Sequence, residues 1–413
     1  MMSRELLSML SSGLERPATR ASAFSLCSLQ KTGVAVWLRC CLLLAIFLMS
    51  LSSFAFESPL STPAIKSVKA TKSPLTAVTK AGDGRLVAVG QRGHILVSDD
   101  SGVSWTQANV PVSSDLVAVS FASAERGWAV GHGGVVLKTE DGGMNWILQL
   151  DGHQASKLVL DYYSRQAEAD PDAEMFVARE ELLIEFGGTQ SLMDVYFESD
   201  QVGYVVGIFN RLLKTVDGGN TWQPWAHRID NPYELHFYSI NSGKDGLYIT
   251  GEQGMVWRLD EGQQQFVSVE TPYDGTLFGA AIGTNELIVF GMRGSAFKST
   301  DQGESWTRLE ITSEAGITDG VIFGNGGVAL VNLAGELLVS RDGGDSFAPQ
   351  AIIESMPFYG LAQISSNHLA LVGAEGVQNL AVMAQDSSPG ESSVSLLESD
   401  DLAMNLELRH VTQ

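Results

Sequence analysis

"KTEDGGMNW", residues 138–146, sets an acidic pair, two glycines, a small polar residue and a tryptophan within nine positions. Such a stretch can be a metal- or phosphate-binding loop, or only a turn. Its neighbours along the chain decide. "SDDSGVSW" (98–105), "TEDGGMNW" (139–146), "TVDGGNTW" (215–222), "STDQGESW" (299–306) and "SRDGGDSF" (340–347) share the form Ser/Thr-x-Asp-x-Gly-x-Ser/Thr/Asn-Trp/Phe. A worn copy, "RLDEGQQQF", occupies 258–266. The aspartates fall at 100, 141, 217, 260, 301 and 342, spaced 41, 76, 43, 41 and 41. A period near 41 with one enlarged gap marks a propeller or repeat array.

The flanks repeat as well. "LVAVSFASAERGWAVGHGGVVLKTEDGGMNW" (116–146) aligns with "LMDVYFESDQVGYVVGIFNRLLKTVDGGNTW" (192–222). Each unit reads as three apolar strands broken by turn residues, with a fourth strand beginning at the tryptophan. The pattern predicts an all-β, seven-bladed β-propeller of four-stranded antiparallel blades. The box lies between strands three and four, where Gly supplies positive φ and Asp accepts bonds from nearby backbone N–H groups. Asp100, Asp141, Asp217, Asp301 and Asp342 are thus expected to shape turns, with Trp105, Trp146, Trp222, Trp306 and Phe347 packing between blades. Six near-copies of one catalytic or metal site in one chain would be odd; six copies of one hairpin turn are expected.

The blades are expected at about 75–107, 116–150, 192–226, 234–268, 276–310, 318–350 and 358–384. The seventh loses its box, so its outer strand must come from elsewhere. "AIKSVKA" (64–70) is the favoured donor and "SLLESDD" (396–402) the competitor, either of which would remove an open sheet edge. The gap at 151–190 reads as helix, break, helix, with Asp170-Pro171 as N-cap and first helical position. Residues 161–185 carry eight acids and two arginines, which makes this insertion either a solvated lid or a docking element for a basic partner. Residues 385–413 are Ser- and acid-rich and read as a flexible tail.

Residues 1–55 read as a signal peptide: five basic and two acidic residues, then an apolar run to Ser53-Phe54-Ala55, with cleavage expected after Ala55. The uncharged run Cys40–Phe56 is short against the roughly 20 apolar residues of a membrane span, leaving a signal anchor as the alternative. Loss of the leader moves the net charge from −22 to −25 and removes Cys27, Cys40 and Cys41, the three cysteines of the chain. The expected mature protein, 56–413, is periplasmic or secreted, with no disulfide or thiolate chemistry. Its acidity argues against nucleic acid and against direct binding to anionic lipid surfaces.

In such a blade the turns joining strands two and three lie on the face opposite the boxes, together with the loops between blades and the insertion. They read "GQRG" (90–93), "GHGG" (131–134), "GIFN" (207–210), "GEQG" (251–254), "GMRG" (291–294), "NLAG" (332–335) and "GAEG" (373–376). The third position varies on a fixed frame, which is where a propeller would write specificity. Arg92 and Arg293, with His132 and Arg211 nearby, are expected to form a small positive partner-binding site. The competing reading is that they are exposed turn residues in weak ion pairs.

The five full boxes look like the Asp-box of BNR-repeat proteins. The longer frame, with "RGWAVG" (126–131) ahead of "KTEDGGMNW", resembles the photosystem II stability and assembly factor family over about 75–384. That resemblance implies an exported, non-enzymatic seven-bladed propeller that chaperones or scaffolds a membrane-protein complex from the lumenal or periplasmic side. It also implies an arginine patch on one face, of which only Arg92 and Arg293 match the family's Gly-x-Arg-Gly turns. A monomer without cofactor is expected. A permanent periplasmic accessory subunit of a transporter is a neighbouring reading.

The enzyme alternative is a sialidase-like or other glycoside hydrolase, or a carbohydrate-binding propeller. The "FRIP" start is absent, and Tyr233-Glu234, the one adjacent Tyr-Glu pair, has no arginine cluster beside it in sequence. The seven histidines (94, 132, 153, 227, 236, 368 and 410) show no ligand spacing, and no Gly-rich loop leads from a strand into a helix. No metal or nucleotide site is expected.

Overall fold

The computed structural model describes residues 57–244 and 246–382. The leader, the cleavage position and the tail, including the candidate strand 396–402, lie outside the described residues.

Seven antiparallel sheets follow one another along the chain, six with four strands and the last with three among the described residues. The seven inner strands are Leu75–Lys80, Leu116–Phe121, Leu192–Phe197, Phe237–Gly243, Leu277–Ile282, Ile317–Ile322 and Phe358–Ser365. Each touches the next, and the seventh touches the first, so the sheets close into a ring as a seven-bladed β-propeller. The second strand of each blade is an apolar run such as Leu86–Gly90 or Leu287–Gly291, buried throughout. Neighbouring blades cover both of its faces, which is why these segments do not alternate. The hydrophobic core is divided accordingly into seven clusters, most spanning two neighbouring blades.

The boxes form the turns between third and fourth strands. In blade two, Asp141 accepts from the Thr139 hydroxyl at 2.9 Å, from the Met144 and Asn145 amides at 3.1 and 2.9 Å, and from the Asn145 side chain at 2.7 Å. The same carboxylate cage recurs at Asp100, Asp217, Asp301 and Asp342, each holding the side chain four residues on at 2.5–2.6 Å. The aromatic residue then fills an inter-blade cluster. Trp146 sits in the blade one–two core, Trp222 in the blade two–three core, and Trp105, Trp306 and Phe347 flank three others. The worn copy makes a tighter hairpin in which the Asp260 carboxylate accepts from the amide and the side chain of Gln263.

The favoured donor of the seventh blade's outer strand does not supply it. Residues 64–70 form no strand in blade seven. They run beside the outer edge of blade one, where the Ala64 amide donates to the Val110 carbonyl at 3.1 Å and the Ser67 amide to the Gln107 side chain at 2.8 Å. Ile65 and Val68 face solvent, so this segment lacks the alternating buried side chains that a clasp strand needs. Blades seven and one are joined instead through the shared cluster of Leu75, Val78, Ala362, Ala370 and Val372, and by Asn379 donating to the Ser101 carbonyl at 2.9 Å.

Between blades two and three the chain leaves the ring as α1 (Gly152–Ala167), a short 3-10 turn at Pro171–Ala173, and α2 (Glu174–Glu185). Asp151 caps α1 in a reciprocal box with Gln154, and Asp170 accepts from the Asp172 amide ahead of Pro171. Ala155, Val159, Tyr163 and Ala173 extend the blade two–three core outward. The insertion is therefore packed on the ring. No helix among the described residues is long and apolar enough to cross a membrane.

Candidate functional site

The face carrying the insertion is built by one bond repeated seven times. The residue after the last position of each second strand (Gln91, His132, Ile208, Glu252, Met292, Leu333, Ala374) donates its amide to the carbonyl just ahead of the inner strand, at 2.9–3.3 Å. This ties the two–three turn to the start of the same blade and leaves the intervening side chains pointing out. A Cβ on Gly131 would fall on the Asp115 carbonyl, so the strand must end on a residue that tolerates that approach. The next position is left-handed in Arg92 (φ 57), Phe209 (φ 55), Gln253 (φ 55) and Arg293 (φ 57), and in blade two it is Gly133 (φ 75). Long side chains held at positive φ carry backbone strain, a feature that clusters at binding sites.

Each inner strand also carries a bulge at its second residue, on the same face. The bulged residues are Thr76, Val117, Met193, Tyr238, Phe278, Thr318 and Tyr359, all half-buried. Tyr238 meets Phe278 edge to face at 5.7 Å, and Phe278 and Leu333 flank Gly316 together. Phe209 packs on His236 at 4.7 Å. Phe209, Met292 and Leu333 in the turns, and Tyr233 and Ile353 in the inter-blade loops, are exposed. The surface around the axis is therefore rich in aromatic and aliphatic side chains, the composition of docking surfaces.

Behind the bulges two carboxyl groups stitch blades together. Asp194 accepts from its neighbour Val195 and from Ile240 of blade four, both at 2.8 Å. Asp319 repeats this with Gly320 and with Leu361 of blade seven, at 2.8 and 2.9 Å. Both are partly accessible yet ringed by the seven inner strands. Burial pushes Asp194 up to about 7 and Asp319 up to about 6 against the pull of those amide bonds, and the charge of Asp319 adds to the rise at Asp194.

The four basic candidates part company. Arg92, His132 and Arg293 are exposed, and among the described residues their side chains make no hydrogen bond or ion pair. Arg92 and His132 lie on adjacent blades, whereas Arg293 is three blades away around the ring. Arg211 is no surface residue. It is buried, donating to Glu180 of α2 at 2.9 Å and to Gln190 at 3.1 Å. The insertion folds back over the start of the third strand of blade three, and this pair fastens it there.

Between the insertion and the blade three–four linker opens a cavity of about 400 Å³, walled by Tyr162, Tyr163, Met175, Phe176, His227 and Pro232 and bordered by Asp170, Asp172, Asp230 and Glu234. Tyr163 stacks on Phe176 at 4.4 Å and shares a 3.0 Å hydrogen bond with His227. Burial, then the Arg228 charge, holds His227 below its usual range. Asn231 fixes the linker by bonding Asn210, the Leu235 carbonyl and the Leu235 amide, and Glu234 is held at φ 54.

Neither the bulge ring nor the cavity was anticipated in the sequence reading. The ring leaves a faint trace: apolar doublets such as Leu116-Val117, Leu192-Met193, Phe237-Tyr238 and Leu277-Phe278 interrupt alternation at one point of each repeat. The cavity leaves none, because its walls come from segments separated by a whole blade of sequence.

The model of the family "Photosynthesis system II assembly factor YCF48" matches residues 68–179 and 173–327, more than half of the chain. A curated relative, the photosystem II assembly lipoprotein Ycf48 of Synechococcus sp. (strain CC9902), is 29% identical over 134 residues, covering 31% of this chain and 37% of that protein. Among solved structures, YCF48 bound to a D1 peptide superposes with a TM-score of 0.56 at 19% identity, covering 78% of this chain and all of that one. YCF48 from Cyanidioschyzon merolae gives 0.55 at 16% identity, over 74% of this chain and 95% of that one. At these identities the structural matches speak for the fold, while the family model speaks for descent. The chain belongs to the photosystem II assembly factor YCF48 family.

Proposed function

We propose that this chain is an exported, non-enzymatic propeller that holds a membrane-protein complex during its assembly or upkeep, through the face that carries the insertion. One observation carries the choice of face. The box carboxylates are spent on their own turns, whereas the opposite face presents the bulged Met193, Tyr238, Phe278 and Tyr359 beside exposed Phe209, Met292 and Leu333. Family membership supports the role, and a YCF48 solved with a D1 peptide supports a polypeptide segment as the ligand class. In this reading Arg92 and Arg293 add local positive charge, and His132 an exposed imidazole, around an apolar landing surface. Residues 1–55 direct export, and the partner is met on the periplasmic or lumenal side.

The test is affinity capture by the tagged full chain in its native cells, from detergent-solubilised membranes, read by mass spectrometry. An integral membrane complex retained by the native protein, lost by Tyr238→Ser/Phe278→Ser and kept by Val103→Ser/Val216→Ser on the box face is the expected result. Loss with the box-face pair and retention with the other would reverse the face. Turnover of a glycoside, abolished by one carboxylate substitution, would overturn the non-enzymatic role.

A further inference from the structure

The cavity between the insertion and blade four has a chemistry of its own. Carboxylates border it from both walls: Asp170 and Asp172 from the insertion, Asp230 and Glu234 from the linker. Among the described residues no lysine or arginine lines it. Arg179, just behind, is paired with Glu234 at 3.2 Å and lies 5.2 Å from the ring of Phe176. That internal cation accounts for one of the four acids and shows how the site takes a cation, with a carboxylate on one side and an aromatic wall on the other. The inner wall is braced by stacking and hydrogen bonds. Tyr163 is buried and braced by Phe176 and His227, and Asn231 locks the linker. A volume of about 400 Å³ falls within the roughly 300–1,000 Å³ of ligand pockets.

We infer that this cavity is a binding site for an alkylammonium or guanidinium group on an apolar stem. The stem lies along Tyr162, Met175 and Pro232, and the charge sits between the two acidic walls, favoured both by the carboxylates and by the aromatic faces. A Lys or Arg side chain of a polypeptide and a free polyamine share this chemistry. If the donor is a polypeptide, the inference rests on the binding role proposed above and names the side chain that anchors it. Asp170 also caps its turn and Asp230 accepts from the Ser268 hydroxyl, but among the described residues no ion pair neutralises Asp170, Asp172 or Asp230, which leaves three carboxylates for a cationic ligand to pair with.

The test uses the full chain and three probes: a fluorescein-labelled Gly/Ser peptide bearing one central lysine, its norleucine counterpart, and spermidine as competitor. Fluorescence anisotropy at low and at physiological salt reads binding. The lysine peptide is expected to bind at least about fivefold more tightly than the norleucine one, and to lose about as much with Asp172→Asn/Asp230→Asn. Tyr162→Ala weakens it while Tyr162→Phe preserves it, which separates ring contact from a fold defect. Spermidine displacing the peptide at lower concentration than the peptide's own dissociation constant supports the site with a polyamine as its ligand. Equal binding of the two peptides, unchanged binding by the double variant, or no binding at all would overturn it. None of these outcomes touches the membrane capture above, so failure of the site and failure of the overall role are distinguishable.

Discussion

The Arg211 guanidinium lies 2.9 Å from the Glu180 carboxylate, with side-chain exposures of 5% and 0%. One comes from blade three and the other from α2, so the pair is a buried electrostatic fastening between ring and insertion, beside the Arg179–Glu234 pair. Gln190 joins it from the Arg211 side, bonding Arg211 and the Leu183 carbonyl. Breaking a buried pair leaves an uncompensated charge, at about 3–5 kcal/mol, whereas removing both partners together costs far less. Arg211→Met is therefore expected to destabilise the protein by that amount in urea unfolding. Arg211→Met/Glu180→Leu is expected to recover more than half. A cost below about 1 kcal/mol for the single variant would mean that the pair is wet.

The box turns give an internally controlled comparison. Asp141 gathers four hydrogen bonds, and Asp260 in the worn copy gathers two from Gln263. Asp141→Ala is expected to cost about 2–3 kcal/mol and Asp260→Ala about 1 kcal/mol or less, read by the same unfolding assay. Equal costs would indicate that the cage is not what stabilises the turn.

Stability is expected to fall from both sides of about pH 4. Asp194 and Asp319 have folded values raised to about 7 and about 6 from 3.8, so the folded state holds protons that the unfolded chain has released. Their contribution is full below about pH 4, declines as pH rises, and is flat above about 7. The box aspartates act oppositely. The Ser104 side chain, its amide and the Ser98 hydroxyl pull Asp100 to about 2, and Ser305 with Ser299 do the same at Asp301. Their contribution is present above about pH 4 and is lost as pH falls toward 2. Unfolding free energy measured from pH 3 to 8 checks both arms, and Asp319→Asn is expected to flatten the decline between about 4 and 6.

Arg92 and Arg293 sit at φ 57, where blade two places Gly133 at φ 75. Arg92→Gly and Arg293→Gly are expected to leave stability unchanged or to raise it by up to about 1 kcal/mol, since relief of left-handed strain offsets the added chain entropy. The same variants remove charge from the insertion face without disturbing the turn. If Arg92 or Arg293 contributes to docking, capture of the membrane complex weakens while the unfolding midpoint holds.

The number of blades, the place of every box and the position of the insertion were readable because each rests on local chemistry repeated at a fixed period. An Asp that cages the next four residues needs no distant partner, and an apolar run between two turns is a buried strand wherever it falls. Arg211 shows the limit. In sequence it follows "GIFN" like any turn residue, and only the return of α2 places Glu180 against it. The favoured donor of the seventh blade's outer strand departs from expectation for a related reason. "AIKSVKA" has strand-like composition, but whether it pairs depends on which edge stands open beside it, and it settles along blade one instead.

Local periodicity therefore determined the architecture by itself, because each blade's turns and strands are specified within about forty residues of sequence. Tertiary structure alone decided the working surfaces. The bulge ring exists only where seven inner strands converge on one axis, and the acidic cavity only where an insertion meets a linker on the far side of blade three. Those contacts join elements whose side chains carry no sequence signal for one another, since what unites them is burial and charge across a gap that the folded ring creates.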